Sequence, residues 1–181
     1  MQERAWSLKA AMRRLWADHV IWTREYIVAA AAGTPDADAA ARRLLTNQEH
    51  IGNAVVPFYG EAAGTALTGL LKQHILIAVD LIAAAKLGDS ATFTQKDEAW
   101  TANAREIAAF LSGANPNWPE KDVFDLLALH LSLTKQEAVA RLGQKWDEDV
   151  EAFDQIFTEI LTVADTLSEG IMKQFPEQFA N

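Results

Sequence analysis

Three of the chain's four histidines stand inside helical apolar stripes. His19 lies between Leu15 and Trp22, His74 between Leu70 and Ile77, and His130 between Leu127 and Thr134. Residues three and four apart share a helix face, so each imidazole should point where its apolar neighbours point. Gln48 and Asn103 have the same setting, and Asp154 and Asp165 follow the border of a late helical stripe. An unmet buried polar group costs roughly 1–3 kcal/mol. Such groups must therefore satisfy one another, hold a ligand or share a metal ion.

Neutral imidazoles with one carboxylate suit zinc, iron or manganese. The expected ligands are His19, His74, His130 and Asp154, one from each of four helices. Glu137, two turns beyond His130, is a candidate to accept from a ligand or to replace one. The spacing excludes the familiar alternatives. No Glu-x-x-His pair is present, which removes the usual di-iron carboxylate arrangement, and no His-x-x-x-His places two ligands on one turn. Asp18 or Asp154 would be the group to orient a histidine as general base. No nucleophile elbow or phosphate-binding glycine loop accompanies them, and no catalytic residue is assigned.

Two other readings use the same residues. In a small-ligand pocket, Trp16, Trp22, Trp100, Tyr59 and Phe110 form walls while Asn47, Gln48 and Asn103 fix orientation. The ligand-contact set is then Asp18, Trp22, Gln48, Trp100, Asn103 and Glu137. In a noncatalytic structural or protein-interaction bundle, the interior polar groups simply satisfy one another. His50 lies off the stripes and belongs on the surface.

The elements that must carry these residues are helices. Apolar positions recur at steps of three and four over about Glu3–Ala32, then over two further segments that bring Leu44, Gln48, Ile51 and Leu67, Leu70, His74 inward. Gly33 ends the first helix. Thr34 is the expected N-cap of the second, with Pro35 at its first position. Pro57 and Gly60 end or kink the second helix, and Gly88 closes the third, Glu61–Leu87. Thr94 with Asp97 suggests a capping box for the fourth. Pro119 opens the fifth, and the sixth runs from about Asp147 to Lys173 with Val150, Phe153, Phe157, Ile160, Ala164, Leu167 and Ile171 inward. The expected fold is all-α: one antiparallel bundle of about six helices over residues 1–181. Sliding the second half back by about 80–84 residues suggests two three-helix repeats, 1–88 and 92–178, in which His19 falls on Asn103.

Composition narrows the partners. A formal charge of −9 disfavours nucleic acid and anionic membranes. Cysteine is absent, so thiolate metal sites and disulfides are excluded. The N-terminal residues lack a secretory pattern, and the apolar stretch from Ile75 to Ala85 is interrupted by Asp80 and too short to cross a bilayer. The expected location is the cytoplasm; an unpaired helical face leaves room for a homodimer.

The stretches Leu15-Trp16-Ala17-Asp18-His19-Val20-Ile21-Trp22-Thr23-Arg24, Leu70-Leu71-Lys72-Gln73-His74-Ile75 and Gly170-Ile171-Met172-Lys173-Gln174-Phe175-Pro176 give the chain an organisation that resembles bacterial helical proteins built from tandem ferritin-like or three-helix repeats. That resemblance implies a helical bundle with metal-binding capacity and carries over no reaction. The missing Glu-x-x-His pairs depart from ferritin-like iron sites.

Overall fold

The computed structural model describes residues 2–180. Six long helices and one short one make up the fold: α1 (Gln2–Ala32), α2 (Ala37–Tyr59), α3 (Glu61–Leu87), α4 (Ser90–Ala114), α5 (Glu120–Leu142), α6 (Trp146–Gln174) and α7 (Pro176–Phe179). No strand occurs among the described residues. The all-α bundle expected from the periodicity is the fold observed.

Glycines end helices where the sequence places them. Gly60 adopts φ 84°, a conformation that costs glycine little, and is the single residue between α2 and α3. The chain reverses there, so the two helices are distinct rather than one kinked helix. Pro57 sits in the last turn of α2 without ending it. Past the turn, Gly52 and Gly64 let the backbones of α2 and α3 nearly touch. A Cβ on Gly52 would stand 2.6 Å from the Gly64 carbonyl oxygen.

Two caps differ from expectation. The Thr34 hydroxyl donates back to the Ala29 carbonyl, so it serves the end of α1 instead of opening α2. Helix α4 begins at Ser90, before Thr94, because the Asp89 carboxylate accepts from the Thr92 backbone N–H at 3.0 Å and its hydroxyl at 2.7 Å.

Consecutive helices pack as neighbours, and α6 returns to α1, closing a ring. Cross-helix pairs run in opposite order along each neighbouring pair: Arg13 reaches Asp165 while Arg24 reaches Asp149, so α1 and α6 are antiparallel. The odd-numbered helices α1, α3 and α5 also touch one another, forming an inner triangle. Their buried residues stack in layers of three. Met12, Leu67 and Val123 form one layer, then Trp16, Leu71 and Leu127, then His19, His74 and His130, then Thr23, Ala78 and Thr134, then Ile27, Ile82 and Ala138. Steps of three and four residues keep each helix's contribution on its inward face.

This register pairs helices by hairpin, α1–α2, α3–α4 and α5–α6. It sets His19 level with His74 and His130, whereas the two-halves alignment set it level with Asn103.

By length and composition alone, α3 is apolar enough to cross a membrane, a longer span than the Ile75–Ala85 stretch suggested. In the bundle its buried side, Leu67, Leu71, His74, Ile75, Ala78 and Leu81, faces the core.

Candidate metal centre

The inner triangle brings the three imidazoles into one layer. Ring centroids of His19 and His130 are 5.4 Å apart, and His74 lies 6.3 Å from each. One ring nitrogen from each histidine lies within 4.8 Å of the others, and all three side chains are buried.

Each imidazole is held from behind by the second helix of its own hairpin. His19 Nδ1 meets Gln48 Oε1 at 3.3 Å, His74 Nδ1 meets Asn103 Oδ1 at 3.0 Å, and His130 Nδ1 meets Glu159 Oε2 at 3.1 Å. In every case the partner lies 29 residues further along the chain. The amides are themselves fixed. Gln48 Nε2 donates to the Leu44 carbonyl and to Asn47 Oδ1, while Asn47 Nδ2 donates to the Leu15 carbonyl. In the second hairpin Asn103 does both jobs, its Nδ2 donating to the Leu70 carbonyl. With the amide nitrogens so engaged, the oxygens face the imidazoles. In His19 and His74 Nδ1 therefore carries the proton and donates, leaving Nε2 with its lone pair, and the Glu159 carboxylate accepts from His130 Nδ1.

Burial drives the protonation state. It pushes His19 well below the ordinary histidine value, and the neighbouring His130 and His74 push the same way. Burial, with His130, brings His74 down to about 3. These two rings are neutral at pH 7, the state that a metal ion requires.

On one side of the histidine layer a chamber of about 10 Å³ is lined by the histidines, Thr23, Thr134 and Trp100 among others. That is about the space of one water. Trp100 packs 5.0 Å from His74. On the other side lies an apolar cavity of about 20 Å³ bounded by the Trp16 and Met12 layers. The Trp118 turn closes that end of the bundle: Trp118 is buried, its Nε1 donates to the Thr166 carbonyl, and its ring lies against Gly170.

The remaining sequence-predicted residues are placed elsewhere. Asp154 is exposed on the outer surface of α6 and does not join the histidines. In the first half of α6 the buried side carries Asp149, Ala152, Ile156 and Glu159, about one position out of phase with the expected Val150–Phe153–Phe157 stripe, whereas Ile160, Ala164, Leu167 and Ile171 are buried as expected. Glu159 is the carboxylate that reaches the histidine layer. Asp18 pairs with Arg43, whose guanidinium also covers the Trp22 ring, so neither Asp18 nor Trp22 is in the cluster. Asp165 is taken by Arg13. Glu137 is buried but faces Arg24 at 2.6 Å, and Arg24 also binds Asp149, which Arg141 meets from the other side. Burial pushes the Glu137 carboxyl up to about 7 against the pull of Arg24. His50 is exposed.

Glu159 and Asp149 were missed in the sequence. A signal for Glu159 existed: the histidines are spaced at near-equal intervals, and the residues 29 beyond the first two are Gln48 and Asn103. The same step from His130 lands on Glu159. In comparisons with known proteins, no family model, curated protein or solved structure matches this chain.

Proposed function

We propose that the protein is a mononuclear metal-binding bundle whose ligands are the Nε2 atoms of His19, His74 and His130. The observation that carries this reading is convergence. Three buried imidazoles from three hairpins offer nitrogens within 4.8 Å of one another, each with Nδ1 committed to an oxygen acceptor. Metal-bound histidines ordinarily donate their other N–H to a carbonyl or carboxylate, which fixes the ring and raises its basicity. Gln48, Asn103 and Glu159 are such partners. A zinc ion bound by three imidazoles at about 2.0–2.1 Å holds their nitrogens roughly 3.3 Å apart, a spacing reached by modest closure of the triad.

All-imidazole ligation favours zinc, and among redox metals iron, copper or nickel; manganese prefers oxygen ligands, and the expected Asp154 oxygen is absent from the cluster. Glu159 behind His130 offsets part of the ion's charge. Three protein ligands leave a fourth position open, as in catalytic rather than structural zinc sites. The self-satisfied polar core is the weaker account. It explains the three Nδ1 bonds but gives three converging ring nitrogens nothing to do.

Elemental analysis of protein purified without a histidine tag tests the reading. About one equivalent of a first-row metal is expected, with loss in both His74→Ala and His74→Gln variants that retain native helical circular dichroism. Metal-free protein that also fails to take up added zinc would overturn it.

A further inference from the structure

We infer that the fourth coordination position takes a small hydrogen-bond-accepting anion, of hydroxide or fluoride size, held by Thr134 and Trp100; the inference rests on the metal reading above. The chamber beside the histidines has room for about one water-sized ligand. Two of its lining side chains carry buried polar atoms without a partner, Thr134 Oγ1 and Trp100 Nε1. Trp100 Nε1 is a donor only, and the threonine hydroxyl can donate. Both demand an acceptor that the protein does not supply.

Comparison with the first hairpin sharpens the point. Thr23 occupies the same layer on α1, and its hydroxyl donates to the His19 carbonyl one turn back at 2.7 Å, the usual resting place of a helical threonine. Thr134 has the equivalent option at the His130 carbonyl and does not take it. Its hydroxyl is left free in the chamber wall. The third member of the layer, Ala78, contributes no polar group.

Charge points the same way. A divalent ion on three neutral imidazoles keeps a positive charge that Glu159, through His130, only partly offsets. An anion in the chamber would complete the neutralisation and accept from Thr134 and Trp100. The chamber has space for about one water, so chemistry at the site is restricted to ligands of about that size.

Electron paramagnetic resonance of the copper(II)-loaded protein, titrated with fluoride and with bromide, tests the inference. Fluoride is expected to shift the copper spectrum saturably, and bromide, larger and a poorer acceptor, to leave it unchanged. Thr134→Val should weaken fluoride binding by at least about tenfold, the loss of one hydrogen bond to a charged acceptor. Thr134→Ser should restore it, and Thr23→Val should leave it unaltered. A loaded copper site whose spectrum ignores fluoride, or equal fluoride affinity in Thr134→Val, would overturn the anion site while leaving the metal centre intact. Failure to load one copper at the triad would overturn the metal reading and the anion site together.

Discussion

Replacing Glu159 by glutamine should move metal-free stability and metal affinity in opposite directions. In the folded chain Glu159 Oε2 accepts from His130, while its Oε1 is buried without a partner. Leaving such an oxygen unmet costs roughly 1–3 kcal/mol. The other two hairpins avoid that cost with amides: Asn103 donates to the Leu70 carbonyl directly, while Gln48 donates to the Leu44 carbonyl and to Asn47, whose own amide donates to the Leu15 carbonyl. Leu126, the counterpart of Leu15 and Leu70, receives no such side-chain donor among the described residues, so a glutamine amide has an acceptor to meet. Glu159→Gln should therefore raise metal-free stability by about 1–2 kcal/mol, roughly 3–6 °C in Tm for a chain of this size. Removing the carboxylate behind a metal-bound histidine should lower metal affinity about 10–100-fold, cutting the zinc-induced stabilisation by roughly 1.4–2.7 kcal/mol. Differential scanning calorimetry with chelator and with excess zinc reads both effects. A variant that melts lower than wild type in chelator, yet gains the full zinc increment, would refute the assignment of Glu159 as the charge behind the site.

Other perturbations reach different parts of the account. Burial raises the Glu137 carboxyl from 4.5 to about 7, so the native state keeps a proton that the unfolded chain releases; its contribution to unfolding free energy should fall by on the order of 2–3 kcal/mol as pH rises from about 4.5 to 7. Denaturant titrations across that range should show the slope in wild type and its loss in Glu137→Gln. Gly170→Ala puts a Cβ 1.9 Å from Trp118 Nε1, and overpacking plus loss of the Trp118–Thr166 bond should cost roughly 2–3 kcal/mol, read as a Tm lower by about 5–10 °C. Asp154→Asn and His50→Ala, both at exposed positions, should leave metal content unchanged by elemental analysis.

Helix identity and most helix ends were legible because glycine and proline act locally. Gly60 and Gly88 stop α2 and α3 at the residues expected. Caps were less legible, since a hydroxyl such as that of Thr34 serves whichever helix end comes closer, and sequence order alone does not decide between them. The phase of the first half of α6 differs from the sequence reading for a geometric reason, while Ile160, Ala164, Leu167 and Ile171 are buried as the pattern requires. A helix in a closed ring touches neighbours on both sides, so its apolar arc is broad, and Val150, Phe153 and Phe157 marked its edge while Ala152, Ile156 and Glu159 marked its centre. A buried carboxylate also adds nothing to a hydrophobic pattern, which hid both Glu159 and Asp149. The three histidines were visible because imidazoles are scarce and stood out against leucine. Their common register was not, because the chain was compared with itself in halves, whereas the hairpins match in thirds.

The central claim is that His19, His74 and His130 share one ion. A crystal of zinc-loaded, untagged protein measured on both sides of the zinc absorption edge tests it most directly. The account predicts a single anomalous peak inside the bundle with three imidazole nitrogens about 2.0–2.1 Å away and Glu159 still behind His130. A bundle with no interior peak, its anomalous signal confined to surface groups such as His50, would contradict it.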